Sequence, residues 1–180
     1  MSSLDLRHYR NPSEVRDLLV NVYAEVYAHE LNEPFSTIEA FSDRLAGHVT
    51  IPRWECVVGY DDAEPVAYIY GGSLRATTSW WHDLDPPVCG DFIREDGHRT
   101  LGIFELMVRR PWRKTGAAHA IHEELLADRP EQRASLAVDH AHPRVRAMYE
   151  RWGYRFVGAH RPPGIAAPLL DIMVRDLRPS

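Results

Sequence analysis

Residues 106–122 read LMVRRPWRKTGAAHAIH, an apolar strand end, a short loop and a helix start. The stretch holds Arg109, Arg110, Arg113 and Lys114 and no acidic residue. The chain as a whole carries −5, which leaves −9 for everything outside this +4 island. A helix start carries partial positive charge and ordinarily draws Asp or Glu. Here Arg113 and Lys114 stand at it and repel the dipole unless an anion lies between them. Gly116, Ala117 and Ala118 are small, so a ligand can approach the free backbone N–H groups of the first turn. The pattern predicts a phosphate-bearing ligand, with a pyrophosphate matched by about three or more donors.

The flanking sequence alternates between strand and helix signals. Leu4, Leu6 and His8 alternate with polar neighbours as a weak first strand. Asn11-Pro12 opens a helix that carries Val15, Leu18, Leu19 and Val22 at helical spacing as far as Val26. A second helix is expected from Ser36, with Ile38, Phe41 and Leu45 on its inner face. Residues 54–60 and 65–72 are β-branched and aromatic, and the turn 61–64 joins them as a hairpin. Residues 75–100 show no periodicity, which is long for a loop in a compact domain. Residues 101–109 read as a strand, and 115–126 as a helix with Ala118, Ile121, His122 and Leu125 on one face. Residues 134–138 form a strand and 143–152 a helix, with Val145, Met148, Tyr149 and Trp152 on one face. Residues 155–158 and 169–174 close the chain as strands. This order predicts one α/β domain, 1–180, built on a mixed sheet.

Composition narrows the function classes. With 180 residues, 44% hydrophobic and 26% charged, the chain is an ordinary globular protein. Its acidic balance argues against a nucleic-acid partner. No apolar run is long enough for a membrane span, and the N-terminus lacks the apolar core of a signal peptide. The two cysteines, Cys56 and Cys89, form no Cys-x-x-Cys pair. A cytoplasmic protein with reduced thiols is expected. Ten histidines invite a metal reading. Yet His122 lacks the second His of a zinc-protease helix, and His140 with His142 are too few ligands, so no metal is expected. Walker-A, Gly-x-Gly-x-x-Gly and Gly-x-Ser-x-Gly patterns are absent.

Arg113-x-x-Gly116-x-Ala118, five residues after Val108, resembles the acyl-CoA-binding motif of the GNAT superfamily of N-acetyltransferases. A later segment strengthens the resemblance: Val138-Asp139, His142-Pro143, and Tyr149-x-x-x-Gly153-Tyr154 follow in that family's order. Together the motifs cover residues 101–158. The resemblance implies a central mixed, mostly antiparallel sheet of about seven strands with about four flanking helices, splayed at the acyl-CoA site. It implies acetyl-CoA as acyl donor. Its pantetheine arm lies against backbone groups of Met107, Val108 and Arg109, and its pyrophosphate on Arg113, Lys114, Thr115, Gly116, Ala117 and Ala118. His142 stands where the family often has Asn, and completes the cofactor-binding set with Tyr149. Lys114 replaces a common Gly and is expected to fit if its backbone needs no positive φ. Ala118 replaces another.

The reaction implied is direct attack of an amine on the acetyl thioester. In the family the Tyr149 hydroxyl is the general acid for the CoA thiolate; on helical spacing alone, Tyr149 also suits core packing. A backbone N–H of Met107 or Val108 serves as oxyanion donor. Glu105 is the candidate base. It interrupts an apolar strand, where an unpaired carboxylate is costly and its pKa rises. The alternative is that Glu105 faces a solvent-filled cleft or pairs with an Arg; Glu30, Glu33 or a histidine are substitute bases. The acidic residues Asp83, Asp85, Asp91, Glu95 and Asp96 with Trp80 and Trp81 form either a wall for a cationic amine or a solvated loop with packed tryptophans. The latter is favoured, since Arg75, Arg94 and Arg99 offset the charge. The family fold also puts 161–164 at the acceptor pocket. Two functions follow: an N-acetyltransferase for a small-molecule or peptide amine, or a non-catalytic acyl-CoA sensor. Retention of Tyr149 favours the enzyme, and the resemblance leaves room for a homodimer.

Overall fold

The computed structural model describes residues 4–162 and 167–178. The strands are β1 (Asp5–Tyr9), β2 (Glu55–Asp61), β3 (Glu64–Ser73), β4 (Thr100–Val108), β5 (Arg133–Asp139), β6 (Arg155–His160) and β7 (Leu170–Asp176). The helices are α1 (Arg16–Val26), α2 (Ile38–His48), α3 (Ala117–Ala127) and α4 (Pro143–Arg151). The seven strands form one sheet in the order β1-β2-β3-β4-β5-β7-β6. The β4–β5 pair is parallel, while β1–β2, β2–β3, β5–β7 and β6–β7 are antiparallel. The expected mixed, mostly antiparallel sheet with its helices is therefore present. Among the described residues no helix is long and apolar enough to cross a membrane.

The chain divides into two compact units: Met1–Gly72 with Phe104–Arg129, and Ser73–Ile103 with Pro130–Ser180. In the first unit, α1 and α2 lay Leu19, Val22, Tyr23, Phe41 and Leu45 against Cys56, Val58, Tyr68, Tyr70 and Met107 of the strands. Tyr23 stacks on Phe41 with centroids 3.9 Å apart and on Tyr27 at 4.6 Å. Burying each such ring stabilises the unit by about 2–3 kcal/mol. Gly59 lets α3 approach β2: a Cβ there would stand 3.2 Å from Ile121 Cγ2 and 3.1 Å from Leu4 Cδ1. Glu55 ties three elements together, accepting from His8 Nδ1 at 3.1 Å and Arg129 Nη1 at 3.2 Å, with Arg10 Nη2 3.0 Å away.

Sequence periodicity misplaces several helix positions. The helix expected from Ser36 begins at Ile38, because Thr37 caps it by accepting from the Ala40 amide at 3.0 Å. Ile38 is 41% exposed rather than inward, since it lies in the first turn, ahead of Phe41 and Leu45. Val145, assigned to the inner face of α4, is 40% exposed; Tyr149 alone in that helix is buried. The helix expected from Thr115 begins at Ala117, after a short 3-10 turn over Arg110–Trp112. Gly116 precedes α3 at φ +94, and Lys114 has φ 65. The condition for Lys114, a backbone without positive φ, is thus not met.

In the second unit, residues 75–100 are mostly turns with one 3-10 segment, Gly90–Ile93. Trp81 is 3% exposed and donates through Nε1 to Glu95 Oε1 at 3.0 Å. That oxygen also accepts from Thr100 Oγ1 at 2.6 Å and Arg133 Nη2 at 2.9 Å. Trp80 donates to Ser135 Oγ at 2.8 Å. Glu95 is therefore no part of a solvent-facing acidic wall, whereas Asp83, Asp85, Asp91 and Asp96 remain exposed. The tryptophans are packed, as favoured from the sequence. Removing one member of a buried pair strands the other: Glu95→Ala should cost about 3–5 kcal/mol in chemical denaturation. At Lys114, left-handed backbone costs an L-residue about 1–2 kcal/mol, against glycine's extra chain entropy of about 0.5–1. Lys114→Gly should raise stability by about 0.5–1 kcal/mol in the same assay.

Candidate active site

Side-chain alternation fails once along β4. Met107 is buried in the cluster under α1 and α2, and Phe104 packs on that same cluster. Residues three apart on a regular strand point to opposite faces. The backbone is therefore irregular between them, and Glu105 lies in that interval. The β4–β5 register ends just before it, at Ile103↔Leu136, although β4 continues to Val108.

Glu105 is half-buried, and its carboxylate makes no hydrogen bond or ion pair among the described residues. Loss of hydration pushes its carboxyl up from 4.5 to about 7, with the Arg44 guanidinium pulling the other way. Its charge reaches Tyr23, Tyr27, Tyr68 and Tyr70, whose hydroxyls are pushed up first by burial and then by this carboxylate. Phe104 stacks on His48 at 4.4 Å, and His48 Nδ1 lies 3.2 Å from the Tyr70 hydroxyl. Burial, then the nearby Arg44, lower His48 to about 4, so it is neutral at pH 7. The Tyr68 hydroxyl is buried with no hydrogen-bond partner. The substitute bases Glu30 and Glu33 are exposed in the turns after α1.

The basic loop is built by side chains that brace its backbone. The Arg109 amide donates to Val66 O at 2.9 Å and its carbonyl accepts from Trp112 N at 3.0 Å. Its guanidinium meets Glu64 at 2.6 Å and Glu25 at 3.1 Å. Successive strand amides point to opposite edges, so the Val108 N–H and C=O face away from β3. Arg113 Nε, 3.2 Å from Val108 O, donates to that carbonyl. Thr115 Oγ1 donates to Trp112 O at 2.6 Å, and Trp112 Nε1 to Asp61 Oδ2 at 2.9 Å. Arg113, Lys114, Thr115 and Gly116 are exposed. The α3 N-terminus has no side-chain cap and no acid in its first turn, and a Cβ on Gly116 would meet nothing within 4 Å. The sequence puts this start two residues early, at Thr115, with the same small residues and no acid in its first turn.

In the second unit, Tyr149 is 7% exposed, edge-on to Trp152 at 5.2 Å and to Tyr154 at 5.6 Å. Its helix is pinned by a group the sequence reading did not pick out. Asp171, 2% exposed, accepts from Arg146 Nη1 at 2.9 Å and holds His140 Nδ1 at 2.8 Å. His142 precedes α4 without capping it; its ring is exposed, 3.5 Å from Asp139 Oδ2. Of the stretch 161–164, residues 163 and 164 lie outside the described residues. Among the described residues no three His, Cys, Asp or Glu side chains gather as a metal-ligand set. The sequence also missed Arg44 and His48. Their one signal was spacing, four apart on the face of α2, with Tyr68 and Tyr70 two apart on β3.

The acetyltransferase (GNAT) family profile matches residues 14–154. No protein of curated function matches the chain in sequence. In structure the chain is similar to an acetyltransferase from Thermus thermophilus, at 18% identity and TM-score 0.66, over 98% of this chain and 99% of that one. It is similar to Ard1 from Thermoplasma volcanium, at 13% identity and TM-score 0.65, over 99% and 100% of the two chains. A third similar fold is a phosphinothricin acetyltransferase from Sinorhizobium meliloti in complex with AcCoA, at 15% identity and TM-score 0.65, over 97% and 89%. The chain belongs to the acetyltransferase (GNAT) family and is an acyltransferase enzyme.

Proposed function

We propose that the chain transfers an acetyl group from acetyl-CoA to an amine of a small molecule or peptide, by direct attack of the amine on the thioester. The observation that carries this reading is the half-buried Glu105 carboxyl, without a partner among the described residues and pushed up to about 7 by burial. An ammonium of pKa about 10.4 gives its proton to such a group over a gap of about 3.4 units, or about 5 kcal/mol. To an ordinary glutamate at about 4.3 the gap is about 6 units, or about 8 kcal/mol. The shift makes Glu105 a workable base at neutral pH, directly or through a water.

The uncapped α3 start supports the donor assignment. Arg113 and Lys114, with the amides of Gly116, Ala117 and Ala118, would hold a pyrophosphate. Thr115 and His142 complete the set on their motif positions. Bound acetyl-CoA supplies a thioester carbonyl and a thiolate leaving group. Met107 and Val108 offer backbone groups to the donor, and Val108, whose N–H faces away from β3, is the favoured oxyanion donor. Arg109, with amide and carbonyl engaged, acts by holding the loop. Tyr149 donates the proton that the departing thiolate takes up. The family match over residues 14–154 supports the reading of 1–180 as a single acetyltransferase domain.

The test follows free thiol while acetyl-CoA meets a panel of amines. Transfer releases thiol; tight CoA binding with no thiol release across the panel marks a sensor instead. Glu105→Gln should lower kcat/KM at pH 7 by about 10²–10⁴-fold and remove a rise centred near pH 7. The groups that feel the Glu105 charge are Arg44 and tyrosines pushed up by burial, while His48, on α2, is lowered to about 4, so the rise belongs to the carboxyl. Stability moves oppositely. The folded carboxyl titrates at about 7 against 4.5, so folding takes up a proton between these values and stability falls as pH rises through that window. The Tm of Glu105→Gln should gain on the parent from pH 4.5 to pH 7.5. Tyr149→Phe should lower kcat with little change in KM; unchanged turnover would remove it as the acid.

A further inference from the structure

In the first unit a guanidinium and a carboxylate feel each other's charge without forming an ion pair. Arg44 is half-buried on α2. Its Nη1 donates to Phe35 O at 2.7 Å and its Nη2 to the Tyr23 hydroxyl at 3.4 Å, with Cζ 4.1 Å over the Phe35 ring. These contacts fix it, while a guanidinium's remaining N–H donors stay available. His48, one helical turn on, stacks against Phe104, the neighbour of Glu105 in sequence. Among the described residues neither Arg44 nor Glu105 has an ion-pair partner. Two half-buried opposite charges that could offset each other's desolvation ordinarily do so. Here they stay apart, with the partly buried rings of Tyr27 and Phe104 packed on the same core cluster.

We infer that the acceptor is a zwitterionic amine, its ammonium directed to Glu105 and an adjacent carboxylate or other oxyanion directed to Arg44. This rests on the reading of Glu105 as the residue that receives the amine. Three features select this class. The fixed Arg44 charge repels a second ammonium, which disfavours polyamines. Neutral His48 adds no charge. The partly exposed rings of Tyr27 and Phe104 favour a substrate whose body is apolar and whose charges are both at one end. A peptide N-terminus, with an amide where the oxyanion belongs, leaves Arg44 unanswered.

The test uses matched trios: methionine, methioninamide and 3-(methylthio)propylamine; phenylalanine, phenylalaninamide and phenethylamine; with spermidine alongside. Free thiol release gives kcat/KM, and calorimetry gives binding to the full chain in the presence of CoA. A charge-assisted contact is worth about 10–100-fold, so each amino acid should exceed its amide and its decarboxylated amine by that factor. In Arg44→Gln the ratio of acid to amide should collapse towards one. The ratio does not depend on how much of the variant folds, and Arg44→Lys should restore part of it. Amides or simple amines turned over as well as the amino acids would overturn the inference while leaving acetyl transfer intact. If no amine releases thiol but calorimetry shows amino-acid binding that Arg44→Gln abolishes, acetyl transfer fails and the zwitterion site stands. Amino acids that neither react nor bind would overturn it.

Discussion

A carboxylate in an apolar strand must be paired, hydrated or protonated, and Glu105 meets this demand by remaining half-buried with a carboxyl near 7. The irregular step between Phe104 and Met107 puts it there: both neighbours pack on the cluster below α1 and α2. Were β4 regular, one of the two side chains would leave that cluster. The stacked rings of Tyr23, Phe41 and Tyr27 then matter beyond their burial, because they fix the hydroxyl to which Arg44 donates. An anion and a cation are thereby held apart by packing that neither could impose alone.

Stability is given up at the same places where function is proposed. Glu105 favours folding more when protonated than when ionised. Lys114 holds φ 65 where glycine would sit without strain, and it does so beside an uncapped helix start. Elsewhere buried carboxylates are paired with cations. Glu95 is enclosed by Trp81, Thr100 and Arg133; Glu55 gathers His8, Arg10 and Arg129; Asp171 holds Arg146 and His140. Against that background Glu105, a half-buried carboxylate in a strand with no partner among the described residues, is the group that asks for a ligand.

The parts legible in the sequence are those whose physics is local. Gly116 before two alanines, with bases and no acids ahead of them, specifies an open helix start whatever surrounds it. Tyr149 to Tyr154 likewise reads as a helix end running into a strand. Helix faces were read less well: Ile38 and Val145 fit the periodicity but lie in first turns, where the stripe has not yet met the core. The positive φ of Lys114 is not legible, because residue type does not reveal φ. Glu95 looked like a surface acid because Arg133 is 38 positions away. Arg44 and His48 were illegible for the same reason: their meaning comes from Phe104 and Tyr70, contributed by other elements. Glu105 stands out through the cost of a charge within an apolar strand, which needs no tertiary information.

The central claim is that Glu105 is a desolvated carboxyl poised to take a proton near neutral pH. The direct measurement is a carbon-13 NMR titration of the glutamate side-chain carboxyls, with Glu105→Gln identifying the resonance. The account predicts a single carboxyl, absent from the variant, with its midpoint near 7. A Glu105 midpoint close to the ordinary 4.5 would contradict it.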